Sequence, residues 1–319
     1  MVTSPASFFM ASSGAATFDS TLIGNSIWLD GSADFLNRQN GSDFSNRKEV
    51  TLSFWVQRNK FSSQQAIFAG LENGEGFIIQ FMSGDTFQLY LNGTANLTTN
   101  AVFRDIGWYH ILVSIDTSQA VSSDRSKVYI NGEQITSFSS AAYPSQDSNI
   151  PGISGEMTSS ENMRIGNYNN GVSNFYFHKG YVTQACMIES KSIQQGDFTV
   201  SDFLDTYTFG TNGSQFIPKK DSDIAALASA AGGNSFCLDF GDSSDLGNDI
   251  SSNNNDFTPT SMAAANQTVH TPSLQFPVLN ALNGDATLVG SLSFGNRLAV
   301  GVSSWDSVFA TKSMGSSGK

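Results

Sequence analysis

Few side chains in this sequence are spaced to do chemistry. The three histidines, His110, His178 and His270, have no paired spacing and no nucleophile motif beside them, so they outline neither a catalytic relay nor a metal site. Oxygen ligands for a hard cation are more plentiful. Asp30 and Asp34 form one short group, and Asp242, Asp245 and Asp249 a second and better one, with the carboxylate supply that calcium needs. The same aspartates are also good turn residues that accept hydrogen bonds from their own backbone. Aromatic rings are the other candidate set: Trp55, Tyr90, Trp108, Tyr129 and Tyr176 lie in or beside strand-like runs. Exposed on a curved sheet they would stack on sugar rings, whereas buried they would pack the core. No set of residues is assigned a catalytic role.

Composition narrows the function classes. Charged residues make up 14% of the 319 residues and the formal net charge is −12, which repels a phosphate backbone and argues against nucleic-acid binding. The first basic residue is Arg38, so the N-terminus lacks the basic flank of a secretory signal, and no apolar run approaches the roughly 18 residues of a membrane span. These features predict a soluble chain made in a cytoplasm. The two cysteines, Cys186 and Cys237, are far apart and each is beside strand-like residues; buried free thiols are the expectation, a disulfide the alternative. The Asn-x-Ser/Thr triplets at Asn40, Asn92, Asn96, Asn212 and Asn266 read as turn chemistry without a secretory signal.

The elements that must position these residues are strands. Tyr109, Ile111, Val113 and Ile115 fall on one side of a pleated strand, and His110, Ser114 and Asp116 on the other, which predicts one dry and one wet face. Lys127 to Ile130 resumes the alternation and stops at Asn131-Gly132, a tight-hairpin pair; Leu89 to Gly93 repeats the signature. Val50, Leu52, Phe54 and Val56 mark another core strand. Strand signals recur at the spacing of a β-sandwich rather than of βαβ units. Residues Ser137 to Glu161 form a long polar insertion, and Asp221 to Gly233 carries the one good helix signal, with an acidic or hydroxyl cap before it and glycine after it. The fold class is therefore all-β, a two-sheet antiparallel sandwich with a smaller, partly irregular C-terminal extension.

Two sets of residues resemble known families. Leu29 to Phe35, Val50 to Val56, Gly107 to His110 and Val128 to Gly132, in that order, resemble the laminin-G-like, concanavalin A-like jelly roll, over roughly residues 25 to 215. Phe216 to Lys219, Phe236 to Phe240, Asp245 to Asp249, Ser252 to Thr258, His270 to Pro272 and Val278 to Asn280 resemble a linker block in virion proteins of marine tailed phages. There the block follows such a jelly roll and precedes a SPRY-like β-domain. Where family members often carry a Thr-Pro-Thr-Asn-Asn signature, this chain has Thr271-Pro272-Ser273-Leu274-Gln275. The resemblance implies an arm over residues 1–25, a jelly roll over 26–216, the linker block over 217–285 and the start of a further β-domain over 286–319. It also implies a non-enzymatic fibre or decoration component of a virion assembled in the host cytoplasm. Such a component docks on other virion proteins, forms a homo-oligomer with a trimer among the options, and presents domains to host polysaccharide. A lectin module and a polysaccharide depolymerase are the alternatives. Enzymes of the concanavalin A-like class usually carry Glu-x-Asp-x-Glu on one strand, and glycoside hydrolysis needs two facing carboxylates. None of Glu49, Glu72, Glu75, Glu133, Glu156, Glu161 and Glu189 has an aspartate two positions on. No cofactor is expected beyond calcium at the Asp242 group.

Overall fold

The computed structural model describes residues 22–91, 95–155, 157, 161–208 and 214–274, and four further strand segments up to residue 310. In chain order the strands are β1 (Ser26–Asp30), β2 (Phe35–Arg38), β3 (Glu49–Arg58), β4 (Gln65–Glu72), β5 (Glu75–Phe81), β6 (Thr86–Leu91) and β7 (Ala95–Val102). They continue as β8 (Trp108–Asp116), β9 (Ser126–Ile130), β10 (Glu133–Gln134), β11 (Phe138–Ala142), β12 (Met163–Ile165), β13 (Tyr168–Asn169), β14 (Asn174–Phe175) and β15 (Lys179–Glu189). After these come β16 (Leu204–Thr208), β17 (Ser214–Pro218), helix α1 (Asp221–Ala231), β18 (Phe236–Leu238), β19 (Thr258–Thr260) and β20 (Gln267–Thr268). Sheet A has the order β10-β9-β8-β3-β15-β1-β20, with β18 also paired to β15; sheet B has the order β11-β7-β6-β5-β4-β12-β2-β19. Every pairing in both sheets is antiparallel.

The inner faces meet as the alternation predicts. Val50, Leu52, Phe54 and Val56 of β3 and Tyr109, Ile111, Val113 and Ile115 of β8 pack with Phe77, Ile79, Phe81, Phe87 and Leu89 of sheet B in one core cluster. The Asn131-Gly132 turn has φ of 51° and 83°, the left-handed pair that a two-residue hairpin requires. A Cβ on Gly132 would lie 2.5 Å from the Phe216 ring, so glycine there also admits β17. The matching Asn92-Gly93 turn, the arm residues 1–21 and most of residues 286–319 lie outside the described residues.

The expected wet face of β8 is not wet, and this is a correction. His110, Ser114 and Asp116 are each 0% exposed, because residues 192–206 and 216–231 fold back over the outside of sheet A. Phe203, Ile224, Ala225 and Ala228 cover Leu112, Tyr129, Cys186 and Ile188, while Ile23 and Leu204 cover Trp55 and Trp108. The polar residues beneath are paired rather than solvated: Ile193 N donates to Ser114 Oγ (3.0 Å), which donates to Gln194 Oε1 (2.6 Å). Gln195 Nε2 donates to Asp116 Oδ2 (2.9 Å), so Ser114 and Asp116 are satisfied from the covering segment, whereas His110 pairs through Nε2 with Ser53 Oγ of β3 (2.9 Å).

Helix α1 forms where its signal lies, but the expected cap is corrected: the N-cap is Lys220, with no side-chain cap bond. Asp221 and Asp223 sit in its first turn, where the helix dipole favours acid, and it ends at Gly232 with φ of 69°. The expectation of free thiols is also corrected: antiparallel β15 and β18 place Cys186 opposite Cys237, and the two are joined as a disulfide with Cα atoms 4.1 Å apart. Sequence separation hid a pairing that sheet register creates.

The compact unit ends at Ser273. The segment resembling a linker block thus contributes β18 and β20 to sheet A and β19 to sheet B. The second unit, from Leu274, contains antiparallel pairs of β21 (Leu279–Gly284) with β24 (Val308–Ala310) and of β22 (Leu292–Ser293) with β23 (Leu298–Ala299).

One buried ion pair ties the two sheets. Arg58, at the end of β3, donates to Asp85 Oδ1 (2.9 Å) and to the Phe103 carbonyl (2.8 Å), and Ser62 N and Arg104 Nε also donate to the Asp85 carboxylate. Both side chains of the pair are 0% exposed, and the Phe81 ring lies 4.4 Å from the guanidinium. Removing one partner strands the other charge in the core. Asp85→Ala is expected to cost about 3–5 kcal/mol in urea unfolding; a loss under about 1 kcal/mol would show the clamp to be dispensable.

Burial also holds His110 and His178 neutral, pushing each down to about 3, with the Arg58 charge a further cause at His178. As pH falls through about 6.5 the unfolded chain takes up protons on these rings and the folded chain does not, so stability falls with pH across that window. Asp221 works the other way: burial first, then the Asp239 charge, pushes its carboxyl up to about 7. Burial lowers His270 as well, so the three histidines outweigh Asp221 and stability falls on balance as pH drops below about 6.5. The urea midpoint should drop from pH 6.5 to 5, and His110→Gln should make that drop shallower; an unchanged slope in the variant would refute the assignment.

Candidate functional site

The outer face of sheet B is where side chains gather over an open groove. The register sets two parallel rows across the strands. Ala66 lies opposite Gln80, Gln80 opposite Gln88 and Gln88 opposite Thr98. Two residues along β5, β6 and β7, and three along β4 where the register shifts by a bulge, Ala69 lies opposite Ile78, Ile78 opposite Tyr90 and Tyr90 opposite Asn96. One row is therefore amide-rich and the next apolar and aromatic.

The amides hydrogen-bond in series. Gln64 Nε2 donates to Gln80 Oε1 (2.9 Å), Gln80 Nε2 to Gln88 Oε1 (2.6 Å), and Gln88 Nε2 to Asn96 Oδ1 (3.0 Å) and Thr98 Oγ1 (2.9 Å). Each amide is held in one orientation by its neighbours, a preorganised polar strip rather than a set of mobile side chains.

The hairpin formed by β13 and β14 supplies the aromatic rim. Tyr168 packs on the Ala66, Ala69 and Ile78 cluster together with Tyr90, and its ring stacks on Tyr176 with centroids 6.1 Å apart and planes 13° apart. The Tyr176 carbonyl accepts from Ala66 N (2.7 Å), which ties the hairpin to β4. From below, Arg164 of β12 donates to Asn174 Oδ1 (2.6 Å) and lies 4.6 Å from the Phe35 ring centroid. Burial, and then the neighbouring Tyr90 and Tyr176 hydroxyls, push the Tyr168 phenol above its ordinary value, so it stays a neutral donor and acceptor. The groove has a volume of about 320 Å³, with Gln64, Ile78, Gln80, Gln88, Asn96 and the three tyrosines among its lining residues.

The aromatic candidates from the sequence are divided by the fold. Tyr90 and Tyr176 come together in this groove, joined by Tyr168. Trp55, Trp108 and Tyr129 are 6%, 7% and 8% exposed, on sheet A beneath the covering layer, out of reach of a ligand in solution. Sequence reasoning missed Tyr168 and the amide strip. The available signal was polar residues at 80, 88 and 96 on the outward side of successive alternating strands, where only their inward partners were counted.

The acidic candidates do not converge. Among the described residues no three His, Cys, Asp or Glu side chains come close enough to share a metal ion. Asp249 accepts from Cys237 N (2.9 Å), Ser251 N (2.9 Å), Ser251 Oγ (2.8 Å) and Asn255 N (2.9 Å). Asp242 accepts from Ser244, Asp245 from Gly247 N, and Asp30 from Ser32 and Ala33. Asp34 accepts from Asn266 Nδ2 (3.0 Å). These carboxylates organise turns.

Two antiparallel sheets packed with this topology make the fold a concanavalin A-like jelly-roll sandwich. Residues 30–177 match the family model described as the concanavalin A-like lectin/glucanases superfamily. Similar solved structures include a putative carbohydrate binding protein from Bacteroides ovatus, at TM-score 0.47 and 12% identity over 78% of this chain and 61% of that one. They also include the heptameric SAP-like pentraxin from Limulus polyphemus, at TM-score 0.41 and 15% identity over 58% of this chain and 84% of that one. The LG1-3 region of the laminin α2 chain aligns at TM-score 0.36 and 14% identity over 61% of this chain and 35% of its own. No curated protein matches the sequence.

Because the Asp249 oxygens are already engaged by four protein donors, Asp249→Ala should lower stability by about 1–3 kcal/mol. The melting temperature of the unaltered protein should be the same in calcium and in chelator. A rise with calcium that is lost in Asp249→Ala would assign the acidic turn an ion.

Proposed function

We propose that this protein is a non-catalytic carbohydrate-binding module, with the groove on the outer face of sheet B as its binding site. The observation that carries this reading is the pairing of a fixed amide strip with an adjacent tyrosine-lined row. A sugar ring has hydroxyls around its edge and an apolar C–H face, and the groove offers amides for the first and aromatic and aliphatic surface for the second. No Asp or Glu is among the lining residues, so the two facing carboxylates of a glycosidase are not supplied there, which favours binding over hydrolysis.

The finer setting we propose is a fibre or decoration component of a tailed-phage virion. Its support is the resemblance of residues 216–280 to the block found in such proteins. On this reading the sandwich is held on the particle by other virion proteins, as part of a symmetric oligomer, with the groove turned to host-surface polysaccharide. The Cys186–Cys237 disulfide suits a protein that works outside the cell, since disulfides persist in oxidising surroundings.

A glycan array and polysaccharide pull-down test the binding. The chain should be retained, release no reducing sugar, and bind roughly 5- to 30-fold more weakly as Tyr168→Ala or Tyr90→Ala, matching about 1–2 kcal/mol of lost ring contact. Retention of nothing would leave a purely structural role, and sugar release would make it a depolymerase.

A further inference from the structure

We propose that the ligand of this groove is an uncharged oligosaccharide segment lying across the strands, its hydroxyl edge along the Gln64–Gln80–Gln88–Asn96 strip and its ring faces over the Ile78–Tyr90 row; this rests on the carbohydrate-binding reading above. The direction follows from register. The rows Ala66–Gln80–Gln88–Thr98 and Ala69–Ile78–Tyr90–Asn96 run perpendicular to the strands, because each is built from residues directly opposite one another on β4, β5, β6 and β7; the amide strip starts at Gln64, just before β4, follows the first row through Gln80 and Gln88, and ends on Asn96 in the second. Adjacent strands lie about 4.8 Å apart, so a strip crossing three strand intervals is about 14 Å long. That is the length of a short saccharide chain, too long for one ring. The rows themselves are two residues apart along β5, β6 and β7, about 7 Å, a separation over which one ring presents its edge to one row and its face to the other.

The neutrality follows from the hydrogen-bond inventory. Gln80 gives one N–H to Gln88 and receives one bond from Gln64, which leaves an N–H and a carbonyl lone pair. Gln88 gives both N–H groups away and receives one bond, which leaves a lone pair. Asn96 accepts two bonds at its oxygen, and its amide nitrogen still carries donors. Donors and acceptors thus alternate along the strip, the pattern that hydroxyls, which both give and accept, can match. A carboxylate or sulfate accepts only and would face the lone pairs. No Lys, Arg or His is among the groove's lining residues to compensate it, and the chain's net charge of −12 opposes approach of a polyanion.

The test uses the full chain against two sets of immobilised polysaccharides, neutral ones and uronic- or sialic-acid-containing ones. Retention on the neutral set alone is expected. Affinity should stay within about twofold as salt rises enough to shrink the Debye length from about 30 Å to about 3 Å. It should fall at least tenfold in Gln88→Met. Gln64→Ala, at the half-buried end of the strip, should cost less for a short oligosaccharide than for a longer one, and it keeps the test open if the Gln88 variant does not fold. Retention on the acidic set, lost in Tyr168→Ala, would overturn neutrality while leaving carbohydrate binding intact. Equal affinity for a monosaccharide and its longer oligomers would overturn the crossing segment. Retention on neither set would reject the underlying function instead.

Discussion

Everything in this molecule depends on keeping sheet A dry on both faces. All ten residues of β3 and all nine of β8 are buried, a pattern that one opposing sheet cannot produce, because successive side chains point to opposite sides. Sheet B covers one side. The other is closed by the stretch from the end of β15 through α1, with Ile224, Ala225 and Ala228 seated on Leu112, Cys186 and Ile188. The polar residues on that side therefore had to find partners within the chain, and Ser114 and Asp116 find them in Gln194 and Gln195. The Cys186–Cys237 bond fastens β18 to β15 within sheet A, beneath that layer.

The outer face of sheet B around β5 and β6 is covered more thinly, by Tyr90, the Tyr168 hairpin and its own interlocked side chains: Ile78, Gln80 and Gln88 are 5%, 2% and 7% exposed and still line a groove. Its outward rows hold each other in place, amide to amide across the strands, so polar groups are ordered before any ligand arrives. The hairpin carrying Tyr168 and Tyr176 is fixed from β4 by a backbone bond and from β12 by Arg164. Rigid placement of aromatic rings reduces the ordering cost of binding, which is the physical advantage of building a rim on a braced hairpin rather than a free loop. The buried Arg58–Asp85 pair lies at the end of β3 and the turn after β5, so the sheet that bears the groove is tied to the sheet that is packed on both sides.

The sequence by itself determined the local elements. Alternation at Val50 to Val56 and Tyr109 to Ile115 specified strands and their inward sides, because side-chain period is a property of the backbone. Asn131-Gly132 specified a turn, because only certain residues accept its φ angles, and Asp221 to Gly233 specified a helix through its acidic first turn and its glycine. The ordered residues from Leu29 to Gly132 were enough to indicate the jelly roll. What only the tertiary structure decided was which outward sides stay outward. Whether His110 meets water, whether Trp55 can meet a ligand, and whether Cys186 meets Cys237 all depend on chain more than 45 residues away in sequence folding onto sheet A. The groove was hidden for the same reason. Gln80, Gln88, Asn96 and Tyr168 are unremarkable polar and aromatic residues in sequence, and strand register and hairpin placement, which are long-range properties, are what align them into two rows.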